Sequence, residues 1–184
     1  MQRRHFLWTL AALLGTRPAY AATAVSAAAV EDMRRNWKAL VPKGADIRLS
    51  LEPIERSNAV WRQVLTPVQY DVLRDEGTER PFSSPLNNEK RAGVFVCAGC
   101  SLPLFTSQMK FDSGTGWPSF FTSIPNHLAM KKDYKIIVER DEYHCARCGG
   151  HQGHVFDDGP PPTRQRWCNN GVALRFIAAE RPQT

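Results

Sequence analysis

Apolar and polar positions divide the chain into three stretches of different period. A charged start, Met1 to His5, precedes an unbroken apolar run from Phe6 to Gly15 and then Thr16 to Ala21. The stretch up to Gly77 has helical spacing. Glu31 to Leu40 predicts a short helix ending before Pro42 and Gly44. Ser57 to Leu65 predicts a second, with Val60, Trp61, Val64 and Leu65 on one stripe. Thr66-Pro67 starts a third, Thr as N-cap and Pro at the first helical position, with Val68 to Glu76 following and Gly77 closing it. Beyond Gly77 the period shortens. Gly, Pro, Ser and Asn punctuate β-rich runs at Gly93–Cys97, Tyr134–Glu139, Glu142–Cys145, His154–Phe156 and Arg166–Phe176. Asn170-Gly171 inside the last run predicts a tight type I′ hairpin turn. Residues 78–178 therefore read as a mainly antiparallel β body, with helices on its N-terminal side.

The apolar run at the N-terminus is about ten residues, half of the roughly 20 that a spanning helix needs. With the charged start and the small residues Ala19 and Ala21, residues 1–21 read as an export signal. Arg3-Arg4 ahead of Phe6-Leu7 resembles the twin-arginine class, which carries folded, cofactor-loaded proteins to the periplasm. An uncleaved anchor or a buried helix is the other reading of this run; stable membrane insertion is not expected. Residues 22–56 start Ala-rich, turn polar and read as a tether or extension, leaving 57–184 as one domain.

Composition is that of a globular protein, 42% hydrophobic and 23% charged. The net charge of +6 raises the question of nucleic acid, but Arg3, Arg4 and Arg17 fall in the signal, which has no acid, so half of it leaves with the signal. No nucleic-acid partner is expected. The cysteine count of five is odd, so at least one thiol has no intrachain partner. Cys97-Ala-Gly-Cys100 and Cys145-Ala-Arg-Cys148 are two C-x-x-C knuckles, each able to aim two sulfurs at one point, with Gly99 and Gly149 easing the turns. Together they offer a closed four-thiolate set suited to one structural Zn2+. Disulfides or redox-active pairs are the alternatives in an oxidising compartment; loading before export favours the metal.

Cys168 is left over. His151, His154, Asp157, Asp158, Arg164 and Arg166 precede it closely, and Asn169 and Asn170 follow. A free thiol with a pKa near 8.5 is only about 3% thiolate at pH 7, and a neighbouring Arg or His+ raises that share. A buried structural cysteine is the bland reading. The His pair at i, i+3 is compatible with a metal or with catalysis.

The run Cys145-x-x-Cys148-Gly149-x-His151-x-Gly153-His154-Val155-Phe156, with Asp158-Gly159-Pro160, Pro162-Thr163, Arg166-x-Cys168-x-Asn170 and Leu174-x-Phe176, resembles the B-type methionine-R-sulfoxide reductases. So do Phe111-Asp112-Ser113-Gly114, Gly116-Trp117-Pro118-Ser119-Phe120 and Thr78-Glu79-Arg80-Pro81-Phe82, in order, over about residues 64–178. The resemblance implies a twisted antiparallel β fold and reduction of methionine (R)-sulfoxide in oxidised proteins. It implies Cys168 as nucleophile, His154 as acid, His151 and Asn170 as groups positioning the oxygen, and Asp158 and Arg166 as a pair holding the nucleophile's surroundings. Trp117 would receive the substrate methyl. One position departs from the pattern. Many members carry a resolving cysteine where this chain has Thr115 in Ser113-Gly114-Thr115-Gly116-Trp117. The expectation is direct recycling by an external thiol, either a small thiol or a thioredoxin-like protein. Two other classes are weighed. A zinc-ribbon-like binding module explains four cysteines but not Cys168 and its histidines. A cysteine protease would need an oxyanion hole that nothing in the sequence suggests.

Overall fold

A computed structural model describes residues 25–133 and 140–180. The export signal and the run Tyr134–Glu139 lie outside the described residues. Helix α1, Ala27–Asn36, is capped by the Ser26 side chain and runs into a 3-10 turn at Trp37–Leu40. It starts earlier than the Glu31 expected, because Ser26 supplies a cap and the three alanines after it are strong helix formers. Val30 and Trp37 are buried, and the Trp37 indole meets His127 edge-on at 5.5 Å. This part of the extension is therefore docked on the body.

Helix α2, Asn58–Val64, is capped by Ser57. Only half of its expected stripe is inside: Trp61 and Leu65 are buried, while Val60 and Val64 are 39% and 54% exposed. A two-turn helix presents a narrow face, and i, i+4 alone fill it. Helix α3, Pro67–Asp75, has the reciprocal capping box of Thr66 and Gln69, with Pro67 inside the first turn. Its end differs from expectation. Glu76, not Gly77, takes the left-handed conformation at φ 56°, and the Gly77 amide closes on the Asp71 carbonyl.

Nine strands form two antiparallel sheets among the described residues. Strands β1 (Gly93–Cys97), β2 (Pro103–Thr106) and β9 (Leu174–Ala178) make the smaller, ordered β2-β1-β9. The larger contains β3 (Lys110–Phe111), β4 (Ser119–Phe120), β5 (Leu128–Asp133), β6 (Arg140–Cys145), β7 (His151–Phe156) and β8 (Arg166–Asn169). Their order is β3-β4-β8-β7-β6-β5. The mainly β antiparallel expectation holds.

The predicted hairpin within Arg166–Phe176 does not form. β8 and β9 belong to different sheets, and Gly171–Ala173 is a 3-10 turn that carries the chain across. Asn170 has φ −65°, not the positive value a type I′ turn needs. Its side chain is bonded elsewhere, accepting from the Glu79 amide and donating to the Gln152 carbonyl.

The core lies between the sheets. Phe105 of β2 stacks on Phe120 of β4 with ring centres 4.0 Å apart, and Phe105 and Tyr143 both meet Trp167 of β8 edge-on. Strand alternation then sends the next residue, Cys168, to the opposite face of β8.

Candidate active site and metal centre

The two knuckles are built alike. Each follows a strand end, β1 at Cys97 and β6 at Cys145, and each closes with the amide of the fifth residue on the carbonyl of the first. These bonds are Ser101 to Cys97, 2.8 Å, and Gly149 to Cys145, 2.9 Å. That fifth residue takes the left-handed conformation, Ser101 at φ 59° and Gly149 at φ 66°. Gly149 thus serves the turn as expected, while Gly99 does not need a positive φ. Leu73 of α3 covers the knuckles from one side, close to Gly99 and Gly150. Arg74 donates to the Cys148 carbonyl and Arg147 to the Cys100 carbonyl.

All four sulfurs are buried and lie within 4.8 Å of one another. Cys97 and Cys148 are 3.6 Å apart, Cys100 and Cys145 3.5 Å. These are non-bonded separations, near the edge of about 3.8 Å for a tetrahedron with metal–sulfur bonds of 2.3 Å. The neighbouring sulfurs, and after them burial, push the Cys97 and Cys145 thiols up, so four thiolates cannot coexist there without a cation between them. The donor set fits one structural Zn2+ held by Cys97, Cys100, Cys145 and Cys148, and the four sulfurs are not joined as disulfides.

The second feature is a cleft of about 430 Å³, open to solvent, whose walls include Trp117, His154, Phe156, Cys168, Asn169 and Asn170. Cys168 lies on β8 between Ser119 of β4 and His154 of β7. The strands come this close because position 153 is glycine: a Cβ there would strike the Cys168 carbonyl oxygen. Arg166 is held by both oxygens of Asp158, at 2.7 and 2.9 Å, with its guanidinium 4.2 Å from the Phe156 ring centre. Burial pushes the Cys168 thiol above its ordinary value, while Arg166 and the Thr115 hydroxyl pull it down. Burial wins, so the uncomplexed thiol is more protonated than the sequence suggested. The reason is that Cys168 is mostly covered on a sheet face.

Trp117 donates its indole N–H to the Glu79 carbonyl, 3.2 Å, which fixes the ring against the cleft. Asn170 lines the cleft too, but its amide oxygen is taken by the Glu79 N–H and one amide hydrogen by the Gln152 carbonyl. As a donor, Asn170 keeps its second amide hydrogen for a ligand. His154 is on the wall. His151 stands behind it, buried, with ring centres 5.5 Å apart, and places its Nδ1 on Glu142. Burial pushes His151 down to about 4, against the pull of Glu142.

Two residues of the candidate site escaped the sequence reasoning. Glu79 is buried, accepts from the Gly171 and Val172 amides, and joins Trp117 to Asn170. Its place in Thr78-Glu79-Arg80-Pro81-Phe82 was the available signal. Glu142 carried none, since its partner is set by cross-strand register.

The SelR domain family matches residues 65–178. The peptide methionine sulfoxide reductase MsrB of Methanosarcina barkeri is 49% identical over 133 residues, 72% of this chain and 94% of that one. The chain belongs to the B-type peptide methionine sulfoxide reductases. The Methanosarcina mazei enzyme of the same name is 51% identical over 128 residues, covering 69% of this chain and 91% of that one. The Agrobacterium fabrum enzyme is 48% identical over 129 residues, with 70% and 96% covered. The matched span in this B-type reductase contains both knuckles and every wall residue of the cleft named above.

Proposed function

We propose that this chain reduces methionine (R)-sulfoxide in oxidised proteins to methionine with Cys168 as the nucleophile. The observation that carries the reading is Cys168 in a cleft walled by Trp117 and His154, with Arg166 beside its thiol. The substrate methyl packs on the Trp117 indole and the sulfoxide oxygen turns to His154. The Cys168 thiolate attacks the sulfoxide sulfur as His154 gives the oxygen a proton. The oxygen passes to Cys168 as a sulfenic acid, and methionine leaves with its sulfur reduced by the two electrons that the cysteine sulfur loses. Asn170 and His151 position the oxygen's surroundings, and Asp158 holds Arg166 against the thiol. A bound zinc supplies a fixed cross-link between the two knuckles; its four thiolate ligands leave no open position for chemistry.

The second half of the cycle uses an external thiol. Among the described residues the other four cysteines form the metal cluster, and Thr115 stands near Cys168. An incoming thiol attacks the sulfenic sulfur, releasing water and leaving a mixed disulfide, which a second thiol resolves. A thioredoxin-like protein or a small thiol supplies both. Residues 1–21 act as a twin-arginine signal that delivers the folded enzyme to the periplasm, with 22–56 as an extension and 57–184 as the reductase domain.

Separate R and S epimers with dithiothreitol test the reaction. Turnover of R alone is expected, with Cys168→Ser inactive and its zinc retained; activity in that variant removes Cys168 from the mechanism. Turnover of neither epimer favours an exported zinc-ribbon-like binding module. Cell fractionation of the chain and of an Arg3→Lys, Arg4→Lys variant tests export. A variant that still reaches the periplasm argues against the twin-arginine route.

A further inference from the structure

Behind the cleft wall, His151 belongs to a buried polar cluster built on Glu142, which has no part in the reaction above. Glu142 of β6 is 2% exposed and pairs with His154 of β7 in register. Its Oε1 receives the Nδ1 hydrogen of His151 at 2.5 Å, and His151 is itself 1% exposed. The Nε2 of His151 is buried with no hydrogen-bond partner among the described residues. A carboxylate at this depth costs several kcal/mol unless it is partnered. The groups facing it are few. His144, on the same strand, brings its Nε2 within 3.1 Å of Oε1. The Lys131 ammonium of β5 is 3.9 Å from Oε2 and is itself held 3.1 Å from Glu76, next to the end of α3. From β7 come His151 and His154, and from β8 the Arg166–Cys168 pair lies beyond His154.

Two imidazole rings 5.5 Å apart, one of them buried, oppose each other's protonation, so the pair holds at most one positive charge. Glu142 sets how the buried ring stands. By holding a hydrogen on Nδ1 it keeps His151 in one tautomer and one orientation, as a carboxylate orients a catalytic histidine elsewhere. We propose that Glu142 is a positioning residue for the proton-donating side of this reductase: it pins His151 as an Nδ1–H ring in one orientation and so fixes the support behind His154, at the cleft wall. The proposal rests on His154 being the acid. Its carboxylate never meets substrate and acts through His151 alone.

Glu142→Gln keeps a hydrogen-bond acceptor and removes the charge. In the zinc-loaded full chain we expect kcat at pH 7.5 to fall roughly tenfold with KM changed less than about twofold, and the basic limb of the kcat profile to move about one unit lower. Glu142→Asp, which restores the charge, is expected to return the limb. A glutamine variant with normal zinc content and the parental profile overturns the proposal. Long-range proton–nitrogen correlation spectra of the unaltered protein test it without any variant. His151 should be a neutral Nδ1–H ring at pH 7; a Nε2–H ring or a doubly protonated His151 overturns it. A fully active His154→Asn variant would instead sink the assignment of the acid, while the ring state of His151 still reports on the Glu142 contact.

Discussion

The hydroxyl of Thr115 faces the thiol of Cys168 and favours its anion. It sits at the end of a short chain of hydroxyls, with Thr115 bonded to Ser113 and Ser113 to Ser119, each at 2.8 Å. Ser119 is the backbone partner of Cys168 across the sheet. The position where the family resemblance implies a resolving cysteine therefore still addresses Cys168 in this chain, through a donor rather than a second sulfur.

Thr115→Cys is expected to form a disulfide with Cys168 after one turnover. Mass spectrometry of the variant after substrate should show two thiols lost and no dimedone adduct. The parent should lose only the Cys168 thiol and give the adduct. A dimedone-reactive Cys168 in the variant would show that the two side chains cannot meet. Thr115→Val removes a donor to the thiolate, so the pH profile of Cys168 alkylation should move to higher pH.

Arg166→Met should raise the Cys168 thiol further, because burial already raises it and the guanidinium is the largest opposing influence. Each unit of upward shift cuts the thiolate fraction about tenfold, so alkylation at pH 7 and kcat/KM should both fall by roughly that factor or more. Asp158→Asn should give a smaller loss in the same direction, since it frees Arg166 without deleting it. An Arg166→Met protein alkylated at the parental rate contradicts the role given to the cation.

Removing the metal should unfold the body. A four-thiolate zinc contributes on the order of 10 kcal/mol in small metal-dependent domains, and here it joins the ends of β1 and β6. Cys145→Ser is expected to yield protein without stoichiometric zinc, with a melting transition lowered by tens of degrees or absent. Metal analysis paired with thermal unfolding checks this. A variant with parental stability and no zinc would show that the knuckles hold without the ion.

Stability should fall between about pH 6.5 and 4 on account of His151. Its pKa is 6.5 when free and about 4 in the fold, where burial disfavours the charged ring. Above 6.5 neither state binds the proton. Between the two values the unfolded chain binds it and the folded one does not, so stability drops as pH falls, by at most about 3 kcal/mol. Urea unfolding of the parent and of His151→Asn at pH 7 and pH 5 measures the difference. Equal losses in both proteins would remove His151 as the cause.

Much of this was legible in residue order. The strand Gly93–Cys97, the capped helix after Thr66, the two knuckles and the solitary Cys168 each carry a local signal, and local signals survive folding. Strands β3 and β4 have two residues each, too few to show a period. The turn chemistry of Asn170-Gly171 was real but outweighed, because Glu79 binds the amides of Gly171 and Val172 and redirects the chain. The Glu142–His151 contact depends on a register irregularity between β6 and β7 beside Tyr143 and His144, which no single segment reveals. The raised thiol of Cys168 is hidden from the sequence for a similar reason. Charged neighbours are visible in sequence, whereas the degree of cover is not.

The crossover at Gly171–Ala173 has a consequence for how this enzyme should fail. The strand bearing Cys168 ends where the chain passes from one sheet to the other, so Cys168 lies just before the crossover. Glu79 binds the amides of Gly171 and Val172 there, and its own backbone holds Trp117 and Asn170, so any loosening at this crossover shifts both from Cys168 while leaving most strand pairings intact. Heat should therefore silence the enzyme at temperatures where its circular dichroism still reads as native, which makes activity an early gauge of the joint between the sheets.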